Sequence, residues 1–237
     1  MRALYTALLA AALLAAAPAH AGGHLSAEAA RYSGDTTVFG LDLDASGWLY
    51  GASGRLVHDG ALFAAVEGHA LAGAVDYDLE GDSSTDPTAV AEGRGLIGAD
   101  LGGTTLYTGL GYRHLTAEPG GHDRTSANAY VPIGLTATDT TRGGWHMRTV
   151  LEYGYLFWGQ ESLQGEVLGV DVDETVSRSS GWQFRAALEF RKGIFEVAPY
   201  VRFYSLDQTD STNVAGGSYY VEDVAETEYG LRAGIGF

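Results

Sequence analysis

The chain has 237 residues, with 30 Asp and Glu against 14 Lys and Arg, 34 glycines and no cysteine. A formal charge of −16 argues against nucleic acid and anionic headgroups as partners held by bulk charge. Absence of cysteine removes disulfides and thiolate metal sites. Glycine near twice its usual share, only 5 prolines, and 14 tyrosines that outnumber Phe and Trp together favour short strands over helices.

The first residues read as an export signal. Arg2 supplies a positive start, Ala3 to Ala17 is an uncharged Ala/Leu run, and Pro18 precedes Ala19-His20-Ala21, an A-x-A cleavage site. That run is too short to span a bilayer as a helix, and no later stretch approaches the ~20 apolar residues required. Residues 1–21 are therefore expected to be a signal peptide, and residues 22–237 one domain.

Ten alternating segments follow: Leu25–Ser33, Ala45–Val57, Ala61–Leu79, Ala89–Leu101, Thr104–Ala117, Ala127–Thr138, Trp145–Gln160, Gly181–Arg191, Ile194–Leu206 and Ala225–Phe237. Short connections at 58–60, 102–103, 139–144 and 192–193 alternate with long ones at 34–44, 80–88, 118–126, 161–180 and 207–224. That rhythm predicts an all-β, antiparallel up-and-down barrel with tight turns at one rim and long loops at the other. The first segment alternates poorly and has Tyr32 as its sole aromatic. Without it, the even-number rule for such barrels leaves eight strands rather than ten.

Parity decides what the faces meet. Trp145, Met147, Leu151, Tyr153, Tyr155 and Phe157 share a face opposite His146, Arg148, Glu152 and Gly154, and the later strands repeat the pattern. Outward aromatics gather near strand ends, at Trp145, Phe157, Trp182, Phe190, Phe195, Phe203 and Phe237. Two interfacial girdles produce that distribution, whereas a sandwich core would place aromatics at mid-strand. On this parity Arg55, Arg94, Arg113, Arg148, Arg185, Arg191, Arg202 and Arg232 face inward with Glu67, Glu92, Asp100, Glu152, Glu189, Glu196 and Glu228. The near balance of charge predicts a salt-bridged lumen, with glycines 51, 98, 109, 111, 154, 230, 234 and 236 making room for the arginines.

The last nine residues, Tyr229-Gly-Leu-Arg-Ala-Gly-Ile-Gly-Phe237, resemble the C-terminal signal of Gram-negative outer-membrane proteins, with Tyr229, Leu231, Ala233, Ile235 and Phe237 as its apolar positions. The overall plan is similar to small outer-membrane β-barrels of the porin-like or surface-antigen type. The resemblance implies location in the outer membrane, contact with its lipid, and handling by periplasmic chaperones and the barrel-assembly machinery. Asp76-Tyr-Asp78 resembles half of the rim site of omptins, ten-stranded outer-membrane proteases. The Asp-His half has no counterpart beyond the adjacent His122-Asp123.

Histidines 24, 58, 69, 114, 122 and 146 show no metal-edge spacing, and neither a Gly-x-Ser-x-Gly elbow nor a phosphate loop occurs. No catalytic residue, metal site or cofactor is assigned. Acidic runs at Asp42-Leu-Asp44, Asp76 to Asp82 and Asp171 to Glu174 would lie at the long-loop rim and could attract divalent cations, although a solvated acidic rim is the simpler reading. The leading expectation is a monomeric, non-enzymatic outer-membrane barrel with acidic surface loops. The alternatives are a narrow porin-like channel and an omptin-like rim hydrolase.

Overall fold

A computed structural model describes residues 22–38, 41–58, 62–79, 82–140, 143–167, 170–214 and 217–237; the expected signal peptide lies outside these residues. Among the described residues thirteen strands form, and ten of them close a barrel: β1 (Gly22–Val38), β2 (Leu41–His58), β3 (Leu62–Leu79), β4 (Asp82–Asp100), β5 (Thr104–Ala117), β6 (Asp123–Thr140), β7 (His146–Val167), β9 (Gly181–Lys192), β10 (Phe195–Leu206) and β13 (Val224–Gly236). The order is up-and-down, with β1 against β13 and β6 against β7. β8 (Val170–Arg178) pairs with β7 above β9, and β11 (Thr212–Val214) forms a small hairpin with β12 (Gly217–Tyr219). The first segment is a full strand, so the count is ten and not eight.

The first and last barrel strands bring Gly23 and Phe237 together at one rim. Gly23 N–H donates to the Phe237 carbonyl at 2.8 Å, and Phe237 N–H returns a bond to Gly23 at 2.9 Å. The same rim carries the turn at Gly102 and Gly103, with φ of 82° and 94°. Asp100 Oδ1 accepts both of their N–H groups at 2.9 and 3.1 Å.

Three of the five expected long loops are instead paired strand. Residues 34–38 pair with 41–45, 82–88 with 73–79, and 159–167 with 170–178. Their Asp-rich composition read as loop because the outer faces of these hairpins meet water rather than lipid, while Leu43, Val75, Tyr77, Leu163 and Val176 on their inner faces are buried. Strands of 17 to 19 residues, at ~3.3 Å per residue and ~45° tilt, rise roughly 40 Å against an apolar band of about 25 Å. The wall therefore stands well proud of the bilayer on the outer side.

The outward face follows that division. Leu110, Ile133, Leu151, Leu188, Val197 and Leu231 are exposed mid-strand. Trp48, Tyr112, Phe157, Trp158, Trp182 and Tyr229 mark the outer girdle, while Trp145, Phe195 and Phe237 mark the inner one. Trp182 stands 5.1 Å from Phe203 and 6.3 Å from Tyr153, ring centre to ring centre. Two of the girdle aromatics are consecutive because β7 bulges. Ala129 faces Trp158 while Tyr130 faces Leu156, leaving Phe157 as the extra residue. Phe157 and Trp158 both point out, and inward parity moves from even to odd numbers, so Glu161 enters the barrel.

Candidate functional site

The interior is the chemically distinctive part of the molecule. Alternation places one side chain in two from every wall strand inside, and here these are arginine, glutamate and tyrosine in three tiers between apolar patches. In the innermost tier Glu67 receives Arg55 at 3.1 Å, Arg94 at 2.5 Å and Arg185 at 3.5 Å. Glu189 receives Arg148 and Arg232, each at 3.0 Å, and Arg55 at 3.5 Å. His24 Nδ1 lies 3.0 Å from Glu196.

The middle tier joins distant strands. Arg94 reaches Glu152 at 2.5 Å, and Tyr107 donates to the other oxygen of that carboxylate at 2.8 Å. Glu92 is held by two hydroxyls, Tyr130 at 2.7 Å and Tyr204 at 3.0 Å. Arg202 bonds Glu228 at 3.1 Å and His69 Nε2 at 3.2 Å, with Glu28 at 3.8 Å. Arg113 bonds Glu226 at 2.5 Å and Glu228 at 3.4 Å. Its guanidinium lies 4.2 Å from the centre of the Tyr204 ring, and Arg202 lies 4.4 Å from that of Tyr200, geometry in which a desolvated cation gains from the ring face.

In the outer tier Glu161 accepts from Arg124 at 2.6 Å and Arg178 at 3.1 Å. Apolar residues fill the remaining space there, with Leu49, Leu71, Val75, Val90 and Leu115 packed against Tyr32 and Tyr77. Burial raises the Tyr77 phenol above its ordinary value, so it stays neutral beside Thr88 Oγ1 at 2.6 Å.

Several of these contacts cross the whole lumen. In a ten-strand ring, β5 and β13 lie five strands apart either way round, as do β4 and β10, and β3 and β9. Arg113–Glu226, Tyr204–Glu92 and Arg185–Glu67 therefore join opposite walls. Counted together, nine arginines and nine glutamates take part, and the carboxylates paired inside are all glutamates among the described residues. Glutamate has the longer reach needed to meet a partner from another strand.

Of the inward residues expected from parity, Asp100 and Arg191 stand apart from this network. Asp100 is exposed and caps its turn, and Arg191 Nε bonds the Gly193 carbonyl at 3.2 Å near the inner rim. Glu28, Glu226, Arg124, Glu161, Arg178, His24 and His69 join the network without having been assigned to it. Parity with Glu228 could have signalled Glu226. The glycines also serve a different purpose from the one expected. A Cβ at Gly109 would strike the Gly95 carbonyl of the next strand, and one at Gly111 would strike the Tyr130 ring. At most of these positions the room is for backbone, tyrosine or, at Gly154, Gln183, while Gly236 does stand against the Arg191 guanidinium.

The acidic rim faces the other way. Asp76 and Asp78 are exposed and point outward, while Val75 and Tyr77 between and beside them are buried. Asp76 accepts from Thr85 Oγ1 at 2.7 Å. The Asp-x-Asp pair that resembled the omptin rim is thus turned away from the lumen. Among the described residues no group of three or more His, Asp or Glu is arranged to hold a metal ion.

This closed wall, apolar outside and ion-paired within, defines an outer-membrane-type β-barrel. No known protein family and no curated protein matches the chain. Among solved structures, the outer membrane protease OmpT from Escherichia coli aligns over 93% of this chain and 97% of its own, with a TM-score of 0.61 and 10% identity. The translocator domain of the autotransporter NalP from Neisseria meningitidis aligns over 97% and 92%, at 0.47 and 12%. The toluene transporter TodX from Pseudomonas putida aligns over 95% and 90%, at 0.39 and 8%. The likeness to OmpT is one of fold, and this chain has the fold of an outer-membrane β-barrel.

Proposed function

We propose that the protein is an exported, monomeric, non-enzymatic outer-membrane protein whose closed barrel holds acidic hairpins at the cell surface. The observation that carries this reading is the bonding of opposite walls through the lumen centre, where Arg113 is 1% exposed and Glu228 0%. A hydrated channel would leave such groups facing water. Here each charge is held by partners from other strands, and separating them would leave buried charge uncompensated. The outward turn of Asp76 and Asp78 adds support, since a rim hydrolase needs acids converging on a bound substrate.

Recordings from planar bilayers containing the refolded barrel test the closed lumen. The expected trace is silent. Stable conductance steps that vanish when the barrel is heat-unfolded before insertion would establish a channel instead. Cleavage of a peptide library by the same preparation, lost in Asp76→Ala, would establish the hydrolase.

A further inference from the structure

Two of the described basic side chains face outward, Arg31 and Lys192; the others point into the barrel. Lys192 sits at the inner rim, with its ammonium 5.5 Å from the centre of the Trp145 ring. Arg31 lies toward the outer end of the wall. It stands on β1 between Ala30 and Tyr32, both buried in the interior, so its own side chain leaves the barrel. Its register partners are Trp48 on β2 and Tyr229 on β13, both about half exposed in the outer girdle. The guanidinium is therefore held at headgroup depth.

The chain supplies no counter-charge there. Arg31 Nη2 donates to Ser46 Oγ at 3.1 Å, and among the described residues Arg31 forms no ion pair. Glu28, Glu226 and Glu228, on β1 and β13, lie on the inner side of the wall and hold Arg202 and Arg113. On the outer side the next acid along β1 is Asp35, four residues on and roughly 13 Å away. That exceeds a Debye length of about 8 Å. Asp44 stands opposite Asp35, and Asp76 is bonded by Thr85. Most of the Arg31 N–H donors are turned to the membrane surface.

Below Arg31 the outward face of β1 is a trough with Ala29 and Ala27 as its floor. Register sets Tyr50 and Leu231 on either side of Ala29, so Trp48 and Tyr50 form one wall and Tyr229 and Leu231 the other. The Trp48 and Tyr50 rings stack at 6.5 Å and 19°, which makes their wall continuous. A lengthwise apolar groove thus ends at an unpaired cation.

We propose that this is a binding site for an outer-leaflet lipid with a phosphate head, the phosphate gripped by Arg31 and one acyl chain lying along Ala29 and Ala27. A guanidinium matches two phosphate oxygens at once, and the girdle rings suit the polar–apolar boundary of the same molecule. A second copy of the chain could not supply the charge, because among the described residues no acid faces outward between the girdles. The site rests on the outer-membrane reading, but not on a closed lumen. A barrel that fails to insert into vesicles would sink that reading, whereas one that inserts without lipid preference sinks the site alone.

Native mass spectrometry tests it, with the refolded barrel released from micelles holding equal amounts of lipid A and phosphate-stripped lipid A. About tenfold preference for the phosphorylated lipid is expected, and Arg31→Gln should reduce it to parity. Equal retention of both lipids by the unaltered barrel, or an unchanged preference in Arg31→Gln, overturns the site. Ala29→Phe fills the trough and leaves the cation, so it should lower lipid A retention several-fold; no change would remove the acyl chain from the groove. Millimolar inorganic phosphate should leave lipid A bound, and displacement would make free phosphate the ligand instead. If Arg31→Gln does not refold, Ala29→Phe and the phosphate competition decide.

Discussion

Replacing Glu161 with alanine tests whether buried ion pairing holds the outer tier together. Glu161 is 1% exposed and serves both Arg124, at 7%, and Arg178, at 3%. Its loss leaves two desolvated guanidinium groups without their carboxylate. Removing one partner of a buried pair costs about 3–5 kcal/mol. Arg178 keeps a bond to the Asp207 carbonyl at 3.3 Å, and the tier lies above the girdle near water, so the expected loss is toward ~3 kcal/mol. Reversible urea unfolding in phospholipid vesicles, followed by tryptophan fluorescence and gel mobility, would measure it. Replacing Arg124, Glu161 and Arg178 together with leucine should recover most of the loss, because no unpaired charge then remains. A Glu161→Ala protein within about 1 kcal/mol of the unaltered one would refute the argument that this triad is a buried, mutually dependent unit.

Other substitutions probe other parts of the fold. Leu151→Arg and Leu188→Arg each place a cation on the outward apolar band, where both leucines are about two-fifths exposed, and should cost ~2–4 kcal/mol in vesicles; two harmless substitutions would mean the faces are assigned the wrong way round. Gly109→Ala should destabilise by ~1–3 kcal/mol through collision with the Gly95 carbonyl, whereas Gly95→Ala meets open space and should change the same unfolding curve little. Deleting Phe237 should lower the amount of barrel assembled in cells more than the yield of refolding in detergent. Equal losses in the two assays would make the residue structural rather than a signal.

Much of the inner face was legible because period-two alternation runs uninterrupted through the membrane-spanning parts of the strands. Arg94, Glu152, Arg185 and Arg202 stand out there as charges between apolar neighbours. The outer wall was not legible for the same physical reason. Above the bilayer a strand has no lipid face, so Asp42, Asp44, Asp82 and Asp86 break no rule by sitting in one, and their composition imitates a loop. The bulge at Phe157 inserts one residue without a compositional mark, yet it decides that Glu161 is inside and Trp158 outside. Partners across the lumen depend on how far round the ring two strands lie. Nothing local to Arg113 points to Glu226, 113 positions away.

The choice of glutamate for the interior has a consequence at the surface. Because the paired lattice is neutral as a whole, the −16 of the chain is carried by residues outside it, and none of the described aspartates takes part in its ion pairs. The barrel wall thus separates two electrostatic compartments, one balanced, the other predominantly negative and solvated. Charge at the rim can be raised, lowered or reversed, altering what the surface attracts, while the lattice that keeps the wall in shape needs no retuning.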